Sequence, residues 1–164
     1  MKFFYDCEFI EDGETIDLLS IGMVAENGDE LYLVSTECDT SRANPWVQRN
    51  VLPKLPSPND KAWCTRDEMR ERIVKFWDDH NDDEPMELWA WVAAYDHVAL
   101  CQLWGDMASL PPRIPRFTFE LKQYWLHNGK PSIPGKPSDA HDALADARHN
   151  LARYRAITSA RREL

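Results

Sequence analysis

The sequence predicts one α/β domain over residues 1–164, with a mixed central sheet flanked by helices. Three observations lead to this fold class. Strand-like segments in the first 36 residues are joined by short turns, which predicts an antiparallel meander. A later apolar segment is typical of a strand covered on both faces. Helical patterns lie between and after these strands, so the sheet should also contain parallel pairs.

The meander strands are predicted at residues 2–9, about 14–25 and about 30–36. Turn residues separate them, Glu11-Asp12-Gly13 after the first strand and Asn27-Gly28 after the second. Connections this short join antiparallel neighbours. The fourth strand is predicted in the continuous apolar segment MELWAWVA, which begins at Met86.

Two helices are predicted between the meander and this fourth strand. A short one lies within residues 41–55 and closes before Pro53. The longer one is opened by a capping-box pattern, in which Glu68 follows Thr65 by three residues. Its apolar stripe consists of Met69, Ile73, Phe76 and Trp77. This helix should end within the acidic run of residues 78–84.

Three more helices are predicted after the fourth strand. The first covers about residues 95–104, and its inward-facing candidates are Val98, Cys101 and Leu103. The second ends near Gly129, and its apolar face consists of Phe117, Leu121, Tyr124 and Trp125. The third covers about residues 142–158, and its apolar stripe consists of Leu144, Ala147, Leu151, Tyr154 and Ile157.

The charge of the chain is unevenly distributed. The net charge is −9, which argues against a general affinity for polyanions. Residues 1–112 carry −14, however, whereas residues 113–164 carry +5. Lys130, Lys136, Arg148 and Arg153 lie in this basic third and could form a local surface that meets phosphate. A solvated helix face would produce the same imbalance without any partner.

Composition also indicates the compartment. No apolar run reaches membrane-spanning length, and no charged-then-apolar leader precedes the first strand. The four cysteines are widely scattered and lack the paired spacing of zinc sites or small disulfide frameworks. We therefore expect a cytoplasmic protein with reduced thiols and no contact with a membrane.

Acidic side chains occur where simple patterning does not place them. Asp6 and Glu8 lie two residues apart on the first strand, so both point to one face of the sheet. Asp96 lies at a helix start, and Asp146 lies in the last helix, five residues after His141. Each has a structural alternative: Asp6 and Glu8 could face solvent, and Asp96 could cap its helix. Capping explains Asp146 less well, because Asp142 is better placed to cap.

If the four carboxylates meet, they form a site for Mg²⁺ or Mn²⁺, ions that favour oxygen ligands. Two such ions could activate a water molecule and stabilise the leaving 3′ oxygen of a phosphodiester. His141 is suited to accept the proton of that water, because an imidazole with an ordinary pKa near 6.5 is largely neutral at pH 7.

These residues resemble the three motifs of the DEDDh 3′–5′ exonucleases. The motifs here are "DCE" from Asp6 to Glu8, "YDHVAL" around Asp96 and "HDALAD" from His141 to Asp146. More closely, "FFYDCEFIEDG", "WAWVAAYDHVALCQLWG" and "HDALADAR" are similar to the small actinobacterial exoribonucleases of the ribonuclease T-like group. The resemblance spans nearly the whole chain and implies a ribonuclease-H-like fold with a single exonuclease domain.

The resemblance also implies roles for these residues. Asp6, Glu8 and Asp146 would hold one ion, and Asp6 would reach the second. Asp96 would act partly through water, and His141 would be the general base. The implied activity is removal of nucleotides from RNA 3′ ends, by a homodimer.

One three-residue segment departs from the family pattern. Many members carry Gly-His-Asn where this chain has Ala90-Trp91-Val92, so the substrate contacts of those polar residues are in question here. Trp91 either stacks on a nucleobase or packs in the core. Phe9 either flanks the terminal nucleotide or packs. Both are candidate substrate-binding residues.

The predicted function is therefore a metal-dependent 3′–5′ exoribonuclease that releases nucleoside 5′-monophosphates. A DNA-directed or mixed-substrate exonuclease is one alternative, because no motif reveals contacts to the 2′-hydroxyl. A catalytically silent nucleotide- or RNA-binding module of the same fold is another. An inactive relative would be expected to have lost a metal ligand or the base, and this chain retains all five residues.

Overall fold

The computed structural model describes residues 1–80, 85–106 and 108–162 of the chain. Six strands lie within these residues: β1 (Lys2–Glu11), β2 (Ile16–Ala25), β3 (Glu30–Ser35), β4 (Trp63–Cys64), β5 (Glu87–Ala90) and β6 (Phe119–Glu120). The described α-helices are α1 (Pro45–Asn50), α2 (Arg66–Asp79), α3 (Ala94–Gln102), α4 (Leu121–His127) and α5 (Ala143–Arg162). Short 3-10 helices cover Thr40–Arg42 and Leu52–Lys54.

The strands form one mixed sheet in the order β4-β3-β2-β1-β5-β6. The β1–β2 and β2–β3 pairs are antiparallel, which confirms the predicted meander. The β1–β5, β5–β6 and β3–β4 pairs are parallel. The predicted fold class, a mixed sheet flanked by helices, is therefore confirmed.

Helices cover both faces of the sheet. On one face, alternate residues of β1 such as Phe3 and Tyr5 pack in a core with α2 and α3. On the other face, Phe4 packs with Trp89 and with the apolar stripe of α5, including Leu151. This alternation follows from the two-residue period of a strand. It places the side chains of Asp6 and Glu8 on the α5 side of the sheet.

Local signals in the sequence predict several boundaries correctly. Thr65 and Glu68 form both hydrogen bonds of a capping box at the start of α2. The end of α2 at Asp79 falls within the acidic run of residues 78–84, of which residues 81–84 lie outside the described part of the chain. Gly129 adopts a positive φ of 78° just beyond α4, a conformation that glycine favours at helix ends.

Two packing predictions are wrong. Val98 does not face the core but is 41% exposed, because the buried side of α3 is formed by Ala99, Leu100 and Cys101. Phe117 does not belong to a helix: it precedes β6, is 56% exposed, and α4 begins only at Leu121. The short edge strands β4 and β6 were not predicted, since two residues give no detectable period.

The chain contains no disulfide among its cysteines. Cys7, Cys38, Cys64 and Cys101 are all free and buried. Within the described residues, none of the helices has the length and apolarity to cross a bilayer.

Candidate active site

The first strand supplies two carboxylates from its middle part. Glu8 is buried and Asp6 is partly buried, and both face the α5 side of the sheet. The register between β1 and β2 shifts directly after Glu8, where Leu19 has no partner in the ladder. Such a bulge bends the strand and changes the direction of neighbouring side chains. Asp6 and Glu8 therefore lie just before this irregularity and beyond the last residue of β1 that pairs with β5, Phe4.

Asp96 accepts a backbone hydrogen bond from β1 at a point where β5 no longer pairs with that strand. The parallel ladder with β5 pairs residues only as far as Phe4 with Trp89, and β5 ends at Ala90. Beyond that point the backbone N–H of Cys7 donates to Asp96 Oδ1 at 2.8 Å. Asp96 is 6% exposed. The carboxylate in the first turn of α3 is thus held against β1, and the α3 N-cap position belongs to Ala93.

The start of α5 brings in Asp146 and His141. Asp142 caps the helix by accepting a hydrogen bond from the backbone N–H of Ala145 at 2.8 Å, as predicted. The backbone N–H of His141 donates to Asp146 Oδ2 at 2.6 Å, and His141 has a positive φ of 70°. A positive φ is uncommon for a residue with a Cβ. Asp146 therefore holds the backbone of His141 in this turn.

Gly22 allows α5 to approach the sheet at this point. It is the β2 partner of Asp6 in the antiparallel ladder. A Cβ built on Gly22 would lie 2.4 Å from backbone atoms of Ala143 and Leu144. Only glycine leaves room for that contact. The close approach places the first turns of α5, and with them Asp146, next to Asp6.

The five residues predicted from the three motifs line one pocket of about 500 Å³. They are Asp6, Glu8, Asp96, His141 and Asp146. Ligand atoms of Glu8, His141 and Asp146 lie within 4.8 Å of one another. The structure thus brings together side chains that are up to 140 positions apart in the sequence.

Burial and mutual repulsion raise the pKa of the carboxyl groups. The pKa of Glu8 is raised to about 8 by burial and by the charges of Asp146 and Asp96. That of Asp96 is raised to about 7, mainly by burial, although the N–H of Cys7 favours the charged form. Burial and the charges of Asp96 and Glu8 raise the pKa of Asp6 well above its ordinary value. Carboxylates in such a cluster are stabilised by a bound cation.

His141 is contacted from two sides. Its Nε2 lies 2.8 Å from Nζ of Lys136, and the ring of Trp46 meets it edge to face at a centroid distance of 4.7 Å. Burial lowers the pKa of His141, and the charge of Lys136 lowers it further, against the opposing effect of Asp146. The imidazole is therefore neutral at pH 7 and able to accept a proton.

The two candidate substrate-binding residues also line the pocket. Phe9 contacts Tyr95 edge to face at 5.8 Å between ring centroids, and Tyr95 is half exposed. Trp91 is partly buried, and the guanidinium of Arg153 lies 4.1 Å from its ring centroid. One face of Trp91 is therefore covered by Arg153 rather than open to a base.

Comparison with known proteins defines the family. Residues 1–158 match the family model described as Rv2179c-like, the 3′–5′ exoribonuclease Rv2179c-like domain. The chain belongs to this family. It is 57% identical over 159 residues to the 3′–5′ exoribonuclease Rv2179c of Mycobacterium tuberculosis H37Rv, covering 97% of this chain and 94% of that protein. The counterpart from strain CDC 1551, named MT2234.1, matches to the same extent.

Solved structures share the fold of this Rv2179c-like chain at low sequence identity. Escherichia coli ExoI, in a complex with single-stranded DNA, superposes with a TM-score of 0.64 at 12% identity over 96% of this chain. This chain spans only 40% of the ExoI chain. The nuclease domain of 3′hExo, a DEDDh family member bound to rAMP, superposes with a TM-score of 0.58 at 11% identity over 96% of this chain and 91% of that domain. The chain has the ribonuclease-H-like fold of the DEDDh exonucleases.

The donor set of the Rv2179c-like chain fits a divalent metal. Carboxylates from β1, α3 and α5 line one pocket, and within it Glu8 and Asp146 offer oxygen atoms within 4.8 Å of each other and of a ring nitrogen of His141. Hard cations such as Mg²⁺ prefer this chemistry. A divalent cation would also offset the repulsion that raises the pKa values of Glu8 and Asp96.

The sequence did not indicate every residue of the pocket. Trp46 on α1 and Asn44, the N-cap residue of α1, line the site, although no motif marks this part of the sequence. Asn150 and Glu11 also line it. Of the four basic residues named as a possible phosphate surface, Lys136 and Arg153 line the pocket. Arg148 instead forms an ion pair with Glu30. No pattern in the sequence shows which of these basic residues line the pocket and which form an ion pair elsewhere.

Proposed function

We propose that this member of the Rv2179c-like family is a metal-dependent 3′–5′ exoribonuclease that releases nucleoside 5′-monophosphates from RNA 3′ ends. The observation that carries the proposal is the convergence of Asp6, Glu8, Asp96, His141 and Asp146 on one pocket. The choice of RNA rests on the family and on the relative from M. tuberculosis, which is named as an exoribonuclease.

The carboxylates are proposed to hold two ions, Mg²⁺ or Mn²⁺. Asp6, Glu8 and Asp146 would hold one, Asp6 would also reach the second, and Asp96 would act partly through water. When bound, the two ions would lower the pKa of the attacking water and stabilise the negative charge on the leaving 3′ oxygen. The hydrogen bond from Cys7 N–H fixes Asp96 Oδ1, so its other oxygen, Oδ2, is the better candidate for ligation.

His141 is proposed to act as the general base. Its lowered pKa keeps the imidazole neutral at pH 7, so it can take the proton of the attacking water. The hydrogen bond between its backbone N–H and Asp146 Oδ2 fixes it beside the carboxylates. Lys136 occupies Nε2, so proton transfer at that atom requires Lys136 to move away.

Several finer properties belong to the same proposal. Phe9 and Trp91 are proposed to contact the substrate, because both line the pocket. The chain is proposed to form one exonuclease domain over residues 1–164, to assemble as a homodimer and to act in the cytoplasm. The homodimer rests on the family resemblance. The cytoplasmic location is consistent with four free cysteines.

The test is degradation of RNA labelled at its 3′ or 5′ end, with Mg²⁺ or Mn²⁺ and with matched DNA in parallel. We expect stepwise release of nucleoside 5′-monophosphates from the 3′ end, and loss of activity with EDTA and in Asp6→Ala. Asp67→Asn is the matched control, because Asp67 is an exposed acid that pairs with Arg70 on α2. Full activity of Asp6→Ala would refute the proposed site, and faster degradation of DNA would refute the substrate.

A further inference from the structure

Arg153 lies in the pocket together with the proposed metal ligands. It follows Asp146 by seven residues on α5, which is about two helical turns, so both side chains lie on one face of the helix. The charges of Asp146 and Asp6 both act on its guanidinium. Arg153 is therefore a permanent positive charge beside the carboxylate cluster.

The surroundings of Arg153 fix its position. The guanidinium lies over the ring of Trp91, at 4.1 Å from the centroid, in a cation–π arrangement. Its NH1 donates to Asn150 Oδ1 at 3.3 Å. The side chain of Asn150 donates in turn to the backbone carbonyl of Tyr5 at 3.1 Å. Arg153 is thus tied to the strand position that precedes Asp6.

Trp91 is itself held in place. It directly follows β5, and the next residue, Val92, has a positive φ of 59°. The backbone N–H of Val92 donates to Glu120 Oε1 at 2.6 Å. The ring of Trp91 lies 6.0 Å from that of Trp125, measured between centroids. The turn and this ring contact make Trp91 a stable platform beneath the guanidinium.

Arg153 has hydrogen-bonding capacity that the protein does not use. Its Nε is buried and has no partner among the described residues. No carboxylate in that part of the chain comes within 4.0 Å of its nitrogen atoms, whereas Arg148 on the same helix makes two hydrogen bonds to Glu30, at 2.7 and 2.6 Å. A buried donor without a partner is costly, and a guanidinium presents paired N–H groups that match phosphate oxygens.

A cation beside a metal site also opposes metal binding, so Arg153 does not serve to hold the ions. The positive charge of Arg153 instead suits an anion, such as a phosphate group, that binds together with the ions. We propose that Arg153 binds phosphate oxygens of the nucleotide at the 3′ end of the substrate, and that Trp91 is the positioning residue that holds its guanidinium for this contact. The inference rests on the proposed function, because it places the reacting nucleotide in this pocket.

The inference gives Trp91 a second role beside the substrate contact proposed above. The face of the ring toward Arg153 is occupied, so on that side Trp91 acts on the substrate through Arg153. Trp91→Leu should therefore weaken phosphate binding in the same way as loss of Arg153. Trp91→Phe should preserve most of it, since a phenyl ring also supports a cation–π contact.

The test compares the binding of AMP and adenosine by calorimetry, in the presence of Mg²⁺. The wild-type protein should bind AMP more tightly than adenosine. In Arg153→Met, AMP affinity should fall about 10- to 100-fold, the range of a charge-assisted hydrogen bond, while adenosine affinity stays unchanged. Arg153→Lys should recover part of the loss. Arg148→Met is the matched control, because it removes one positive charge from the same helix outside the pocket.

Two further readouts distinguish phosphate binding by Arg153 from a role in metal binding or in stability. Mg²⁺ affinity of Arg153→Met, measured without nucleotide, should equal or exceed that of the wild type, because a repelling charge is removed. A merely structural role would lower AMP and adenosine binding together and would reduce the melting temperature. If the wild type degrades RNA but Arg153→Met prefers AMP over adenosine by the same factor as the wild type, the inference is wrong and the proposed function stands. If the wild type shows no exonuclease activity, the proposed function fails.

Discussion

His141 is placed by contacts that each act on a different part of the residue. Asp146 accepts a hydrogen bond from its backbone N–H, Lys136 contacts its Nε2, and Trp46 packs against its ring. The backbone contact keeps the imidazole near the carboxylates without using any ring nitrogen. The ring therefore stays available for proton transfer once Lys136 moves.

Replacement of His141 by alanine should lower turnover by about 10²- to 10⁴-fold, the usual contribution of a general base. Single-turnover degradation of 3′-labelled RNA gives this rate. Mn²⁺ affinity should change little, because the proposed ligands are carboxylates. His127→Ala is the control, since His127 is an exposed residue at the end of α4. A His141→Ala protein that loses its metal together with its activity would show that His141 is a ligand.

At the residue scale, the sequence predicts which side chains converge but not what surrounds them. Two-residue spacing on a strand is enough to place Asp6 and Glu8 on one face. No local pattern places Lys136 against His141 or Arg153 over Trp91, because these contacts depend on the path of the loop before α5 and on the end of β5. Long-range contacts of this kind produce no periodic pattern of residues in the sequence.

At the scale of elements, the contact between β2 and the start of α5 positions the site. Gly22 has no side chain, and backbone atoms of Ala143 and Leu144 occupy the space where a Cβ would be. Any larger residue must push α5 away from the strand that pairs with β1. The distance between Asp146 and Asp6 thus depends on one glycine.

Gly22→Ala should therefore impair both stability and metal binding. Overpacking of this kind costs about 1–3 kcal/mol of unfolding free energy, measured by urea denaturation. Affinity for Mn²⁺ should fall in the same variant, because Asp146 moves relative to Asp6. Gly135→Ala provides the control, since no atom lies within 4 Å of the Cβ position there. Unchanged metal affinity in Gly22→Ala would contradict this role of the close contact.

The elements themselves were predictable where a local signal existed. The capping box at Thr65 and the glycine after α4 fix helix boundaries through contacts within one turn. The orientation of α3 was not predictable in the same way. Its buried side includes the carboxylate of Asp96, which an apolar stripe does not reveal, and Val98 was therefore placed on the wrong face.

At the scale of the whole molecule, the carboxylate cluster should make stability depend on pH and on bound metal. Glu8 and Asp96 have folded-state pKa values of about 8 and about 7, above their ordinary values of 4.5 and 3.8. The folded state therefore holds more protons than the unfolded state between about pH 4 and 8. By linkage, the contribution of these two groups to metal-free stability is fully present below this window and is lost as the pH rises through it.

Bound metal should reverse this trend. We expect the melting temperature of the EDTA-treated protein to decrease from pH 5.5 to pH 8.5. Mg²⁺ should raise it more at pH 8.5 than at pH 5.5, since the ligands must be deprotonated. At 100 times its dissociation constant, a single bound ion stabilises the fold by about 2.7 kcal/mol. A metal-free protein that is equally stable at both pH values would contradict the electrostatic description of the cluster.

The fold class and the family were accessible from the sequence because three short motifs, each on a predictable element, span the chain. The pocket as a whole was not, because its walls come from α1 and from the loop before α5. Trp46 and Asn44 reach the site only through the packing of α1 against the sheet.

The central claim is that Asp6, Glu8, Asp96 and Asp146 hold two divalent ions beside His141. Calorimetric titration of Mn²⁺ in the presence of AMP tests it most directly, with Asp6→Asn and Asp146→Asn measured beside the wild type. The account predicts two ions bound to the wild-type protein and at least a tenfold weaker affinity, about 1.4 kcal/mol, in each variant. Two ions bound with wild-type affinity in either variant would contradict it.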